Sequence, residues 1–275
     1  MYDLFQTVLL LSLLGSGLTA VLLCLKPITT KGFPAQWQTL VWVVALLSMV
    51  LPVYQLVPLP ATQAEPPAVQ AQTEIQQAPA LQTTPAESVQ EAAPLLPPEE
   101  PTDPHAQLLR LEPYLYLWLM GAAAFLLLVL GSYVRCLFRL RNQAVFLPAH
   151  PLLEEVKQEL HITRTIRLGL APAVSSPMLV GVFFPIVYLP CQALPKEHLR
   201  MVFLHELTHY KRKDLLLKWL ALLVNAVHWF NPLAYLLRAN LSEACEAACD
   251  RAVTRAMSHQ ERKQYMSTIL TLAEA

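Results

Sequence analysis

The chain has 275 residues, of which 55% are hydrophobic and only 15% charged, and its formal net charge is zero. So apolar a composition excludes an ordinary soluble domain, where about a quarter of residues are charged. The balanced charge gives no basis for direct nucleic-acid binding.

Three segments are long and apolar enough to cross a bilayer, which takes about 20 residues. They are Leu4 to Leu25, Trp37 to Val57, and Tyr114 to Leu137, the last uncharged until Arg135. The first opens on Asp3, without a basic leader or a small-residue cleavage site, so it reads as an anchor rather than a signal peptide. Lys26 and Lys31 follow the first span, and Arg135, Arg139 and Arg141 follow the third. Basic residues favour the cytoplasmic side. The N-terminus and the loop 58–112 are therefore expected outside, with everything after Arg135 inside. Between Pro58 and His105 the loop is rich in Pro, Ala, Gln and Glu and cannot bury enough apolar surface to fold by itself.

The expected fold class is an α+β membrane protein. Residues 1–57 carry two transmembrane helices (4–25 and 37–57), 58–112 an extracellular disordered loop, 113–137 the third transmembrane helix, and 138–275 a cytoplasmic domain. Of the five cysteines, Cys136, Cys191, Cys245 and Cys249 fall on the reducing side, which argues against disulfides.

The cytoplasmic domain begins with an amphipathic helix over Pro151 to Ile162, with Leu152, Leu153, Val156 and Leu160 on one face. Strand-like alternation follows at Thr165 to Leu170 and at Ile186 to Leu189, punctuated by Ser175-Ser176-Pro177 and Gly181. Val182 to Leu189 is a candidate to hold an extended substrate as an added strand, through Val182, Val187 and Tyr188. An ordinary core strand fits the same residues equally well.

The most informative residues are His205-Glu206-Leu207-Thr208-His209. On a helix the two histidines lie one turn apart on one face, where two neutral imidazoles can bind one Zn2+ ion. Glu206 beside them can take a proton from a zinc-bound water. No Gly or Pro interrupts Glu197 to Lys213, and Pro195 suits a first helical turn.

A catalytic zinc needs a third protein ligand. Glu246 is the candidate, with Asp250 one turn on, able to accept the free N–H of a ligating imidazole. Glu243 is the rival, and Cys245 and Cys249 are a further alternative. A fourth span over the apolar stretch Leu215 to Phe230 would put Glu246 across the membrane from His205. A hairpin over 215–246 avoids this. Asp214 can cap a helix of about 24 Å, Asn231 and Pro232 open the next, and about 21 Å of the second helix returns Glu246. The hairpin is expected in or against the inner leaflet. His228, at its far end, reads as a core histidine with a satisfied hydrogen bond.

These residues resemble the beta-lactam-sensing transducer metallopeptidases, the Bla/Mec-type antirepressor family. The matching stretches are His205 through Asp214, His228-Trp229-Phe230-Asn231-Pro232, Glu246-Ala247-Ala248-Cys249-Asp250, Ser176 through Gly181, and Pro185 through Pro190. The resemblance implies a bacterial multi-pass membrane protein with a gluzincin-like zinc metallopeptidase domain facing the cytoplasm. It implies metal ligands His205, His209 and Glu246, with Glu206 as base. It also implies regulated proteolysis, either self-cleavage or cleavage of a cytoplasmic repressor, in response to a signal from outside, with the lipid bilayer and a second copy of the chain as further partners. Drug-sensing members carry a last span and an extracellular penicillin-binding domain, which would follow Ala275. Where the family often has Asp two residues before the ligand Glu, this chain has Ala244 next to Glu243. Two other classes fit the motif: a signalling scaffold with structural zinc, against which an intact Glu206 argues, and a housekeeping protease of the HtpX or CAAX-protease kind.

Overall fold

The computed structural model describes residues 2–52, 104–148, 150–192 and 195–274. The loop expected to be unstructured lies outside the described residues as far as residue 103. The unit described below comprises Met1–Pro52 and Glu112–Ala275.

Helix α1 (Tyr2–Gly32) and helix α3 (Pro104–Gln143) are long. Their apolar stretches, Leu4–Gly32 and Pro113–Gln143, are long and apolar enough to cross a membrane. Helix α1 continues past Lys26 and Pro27 instead of stopping at the end of its apolar run. The hydroxyls of Thr29 and Thr30 donate to the Lys26 carbonyl in this last part. The Lys26 ammonium reaches Asn240 at 2.7 Å and Glu243 at 2.6 Å.

The second expected span differs. Helix α2 covers only Ala35–Ser48, about 21 Å at 1.5 Å per residue and short of a bilayer's hydrocarbon thickness. Residues 53–57 of the expected span lie outside the described residues. Helix α2 stops at Met49, whose carbonyl accepts from His228 Nε2 at 3.0 Å, and Pro52 follows three residues later.

A small sheet comes next. Strand β1 (Val145–Leu147) precedes helix α4 (Pro151–Glu159), followed by strands β2 (Arg167–Leu170), β3 (Met178–Val180) and β4 (Ile186–Leu189). The order is β1-β2-β4-β3. Only the β2–β4 pairing is parallel. Gly181 turns β3 into β4 at φ 91, and a Cβ there would stand 2.4 Å from the Phe184 carbonyl oxygen, so only glycine fits.

Helix α5 (Lys196–Arg212) packs on this sheet with α4 and with helix α8 (His259–Glu274), around Phe203, Leu207, Val156, Val187 and Tyr265. Each such side chain contributes about 1.5–3 kcal/mol on burial.

Helices α6 (Asp214–Val227) and α7 (Pro232–Thr254) form the expected hairpin. Fourteen residues of α6 climb about 21 Å, and the fourteen steps from Pro232 to Glu246 descend the same distance. Asn231 caps α7, its Oδ1 accepting from Leu233 N at 2.9 Å, and its amide donates to Ser12 and Ser16 of α1 at 2.8 and 2.7 Å. Small residues, among them Ala45, Ala234 and Ala244, let α2 lie close against the hairpin, where the Thr39 hydroxyl donates to the Ala244 carbonyl at 3.0 Å. His228 is buried in its expected structural role.

Candidate metal centre

The helical reading of the His-Glu-x-x-His motif holds, and α5 carries His205 and His209 on one face. Their Nε2 atoms are 3.1 Å apart. Oε2 of Glu246, from the returning arm of the hairpin, lies 3.1 Å from His209 Nε2 and 3.6 Å from His205 Nε2. A tetrahedral site with bonds of about 2.0–2.1 Å has edges of about 3.3 Å, so these three separations suit a single ion.

The outward ring nitrogens are held as ligands require. His209 Nδ1 donates to Asp214 Oδ2 at 2.8 Å. His205 Nδ1 donates to the Tyr265 hydroxyl at 2.7 Å, and that hydroxyl donates to Asp250 Oδ1 at 2.7 Å. With both Nδ1 atoms protonated, both Nε2 lone pairs face Glu246.

Two sequence expectations change here. Asp250 reaches its imidazole chiefly through Tyr265, its own Oδ1 standing 3.4 Å from His205 Nδ1. Asp214 makes no capping bond for α6. Lys213 ends α5 in the left-handed conformation, φ 61, and begins α6, which folds Asp214 back under His209. There it is 1% exposed and also accepts from Arg212 Nε at 3.1 Å. Sequence reasoning missed Tyr265 altogether, since nothing in its local pattern marks it. The rival ligand Glu243 points away, exposed and paired with Lys26.

Glu206 lies in a cleft of about 390 Å³, with His205, His209, Glu246, Lys218 and Leu179 among its walls. Burial pushes its carboxyl above the usual carboxylate range, against the pull of the two histidines and a hydrogen bond from the Leu179 main chain. The Lys218 ammonium holds the other oxygen of Glu246, Oε1, at 2.9 Å. Burial opposes ionisation of Glu246, but in the metal-free chain the charged His205 and His209 rings and the Lys218 ammonium outweigh it and keep the carboxylate charged. Cys249 is the alternative donor, its sulfur within 4.8 Å of ligand atoms of both histidines. Its thiol, however, donates to the His205 carbonyl at 3.4 Å and stands 3.9 Å from Nδ1, on the side already bonded to Tyr265.

The candidate substrate strand is corrected. Strand β4 lies between β2 and β3, so it has no free edge, and Val187 and Tyr188 are core residues 0% and 1% exposed. Val182 falls in the turn after β3. The edge strands are β1 and β3, and Met178 and Leu179 of β3 line the cleft.

The chain is 30% identical over 158 residues to the regulatory protein BlaR1 of Bacillus licheniformis, covering 56% of this chain and 26% of that protein. It is 28% identical over 108 residues to the methicillin resistance mecR1 proteins of Staphylococcus aureus and Staphylococcus epidermidis, covering 38% of this chain and 18% of each. The matched stretches thus span about a quarter or less of these relatives. The family model described as BlaR1 peptidase M56 matches residues 6–275, and with nearly its whole length matched, the chain belongs to that family.

Proposed function

We propose that this chain is a membrane-borne zinc metalloendopeptidase, with His205, His209 and Glu246 as ligands and Glu206 as general base. The observation that carries this reading is the convergence of three ligand atoms at 3.1, 3.1 and 3.6 Å beside a buried carboxyl in an open cleft.

A zinc ion held there would supply Lewis acidity to a scissile carbonyl and to a water. Glu206 takes the water's proton and later delivers it to the leaving amine, and its burial suits it to both steps. The β3 edge receives the substrate in extended form by main-chain hydrogen bonds. Asp214 and the Tyr265–Asp250 pair keep both imidazoles in the ligating tautomer. Lys218 holds Glu246 so that only one of its oxygens faces the histidines.

The substrate is a cytoplasmic protein, either this chain itself or a repressor, cut in response to a signal received outside. Membership of a sensor-transducer family supports this, as do the basic residues toward the C-terminal ends of α1 and α3. The test uses the purified chain in detergent, wild type beside Glu206→Gln. Metal content is assayed on both, and fragments are sequenced after incubation alone and with candidate repressors. Zinc in both with fragments only from the wild type is the expected result. Equal cleavage by the variant would overturn it.

A further inference from the structure

A second cavity, of about 420 Å³, lies between α6 and α7 and is assigned no role by the peptidase reading. Lys218 and Leu222 of α6 line it, together with Tyr235, Arg238 and Ser242 of α7. Arg238 and Ser242 are one helical turn apart, and Tyr235 precedes Arg238 by three residues, so all three share a face of α7. Lys218 belongs to this cavity and to the metal cleft alike.

The Arg238 guanidinium is half-buried and has no acidic or hydrogen-bonding partner among the described residues, and the Ser242 hydroxyl has none either. Among the described residues the other cations that are not fully exposed are paired: Lys26 with Glu243, Lys157 with Glu154, Arg200 with Glu159, Arg212 with Asp214 and Lys218 with Glu246. A guanidinium left without a counter-ion on an apolar hairpin calls for an anion from outside the chain.

The surroundings say what carries that anion. Phe125 of α3 meets Tyr235 edge-on with ring centroids 6.2 Å apart, and Tyr133 meets Trp219 in the same way at 4.8 Å. The cavity therefore borders a helix apolar enough to span the bilayer, whose Leu127 and Leu128 are exposed. On the hairpin, Leu216, Leu223 and Leu236 are exposed as well. Tyr and Trp clustered beside Arg and Lys are typical of the headgroup level. A soluble anion would satisfy the charge and leave this apolar rim bare. A phospholipid satisfies both, because Arg binds phosphate oxygens in pairs.

We propose that this cavity binds an anionic phospholipid, its phosphate held by Arg238 and Ser242 with Lys218 adding charge, and its acyl chains along the apolar surface of the hairpin and α3. Through Lys218 the headgroup would touch the same cation that holds Glu246. The site stands independently of the peptidase reading, and its test needs no cleavage.

The full chain in a non-ionic detergent is titrated with phosphatidylglycerol or phosphatidylcholine, and bound lipid is counted by native mass spectrometry. The expected result is a preference for phosphatidylglycerol of about tenfold, lost in Arg238→Gln and partly kept in Arg238→Lys. Millimolar inorganic phosphate should leave the bound lipid in place. Equal binding of both lipids by the wild type would overturn the proposal, as would an unchanged preference in a folded Arg238→Gln chain. Displacement by inorganic phosphate would also overturn it, in favour of a soluble phosphate ligand. Should Arg238→Gln fail to fold, the Lys variant and the phosphate competition still decide.

Discussion

His209 and Asp214 are five residues apart in the chain and 2.8 Å apart in space, joined from Nδ1 to Oδ2 around the left-handed Lys213. A turn in that conformation is what reverses the helix so tightly that the carboxylate faces the ring it follows. Removing Asp214 therefore frees the tautomer of a metal ligand. We expect Asp214→Ala to weaken zinc binding about 10- to 100-fold, and Asp214→Asn, which keeps an acceptor oxygen, to weaken it less. Competition with a chromophoric chelator measures both.

Tyr265→Phe should cost less than Asp214→Ala in the same assay. Asp250 already stands 3.4 Å from His205 Nδ1 and can close the gap once the hydroxyl is gone. An equal or larger loss would mean that the tyrosine does more than relay.

Glu246→Ala should weaken zinc binding by more than the 10- to 100-fold typical of an outer partner, because a direct ligand is lost. Glu243→Ala should leave it unchanged. Glu243 is exposed, and its pair with Lys26 is a surface ion pair worth about 0–1 kcal/mol. The reverse ranking would move the third ligand.

Zinc uptake should depend steeply on pH. Without metal, burial draws the His209 imidazole down, but its bonds to Asp214, Cys249 and Glu246 prevail and raise it to about 11. His205 is likewise raised, burial being outweighed by Asp250, Cys249 and Glu246. Both rings are then protonated near neutrality, and an ion must displace those protons. Affinity should fall about 10- to 100-fold for each unit of pH lost between pH 8 and 6, with one to two protons released on binding. Calorimetry in buffers of different ionisation enthalpy counts them. Binding that releases none would contradict the protonation of both rings in the metal-free chain.

Asn231→Ala removes the cap of α7 and both bonds to α1. A loss of about 1–2 kcal/mol is expected, read as a lower midpoint in a thermal melt in detergent, with zinc stoichiometry intact.

The sequence by itself determined the parts whose signals are local. His205 and His209 share a face because a helix repeats every 3.6 residues, and the Asn231-Pro232 break with matched lengths on either side foretold that Glu246 returns to them. The tertiary structure alone decided the rest. Strand order made β4 an interior strand and put β3 at the edge beside the cleft, since pairing partners are chosen by packing across the sheet rather than by the alternation within one strand. A single left-handed residue turned Asp214 from an expected cap into the partner of His209. Tyr265 entered the site only because α8 packs against α5, a long-range contact that no spacing in the sequence encodes.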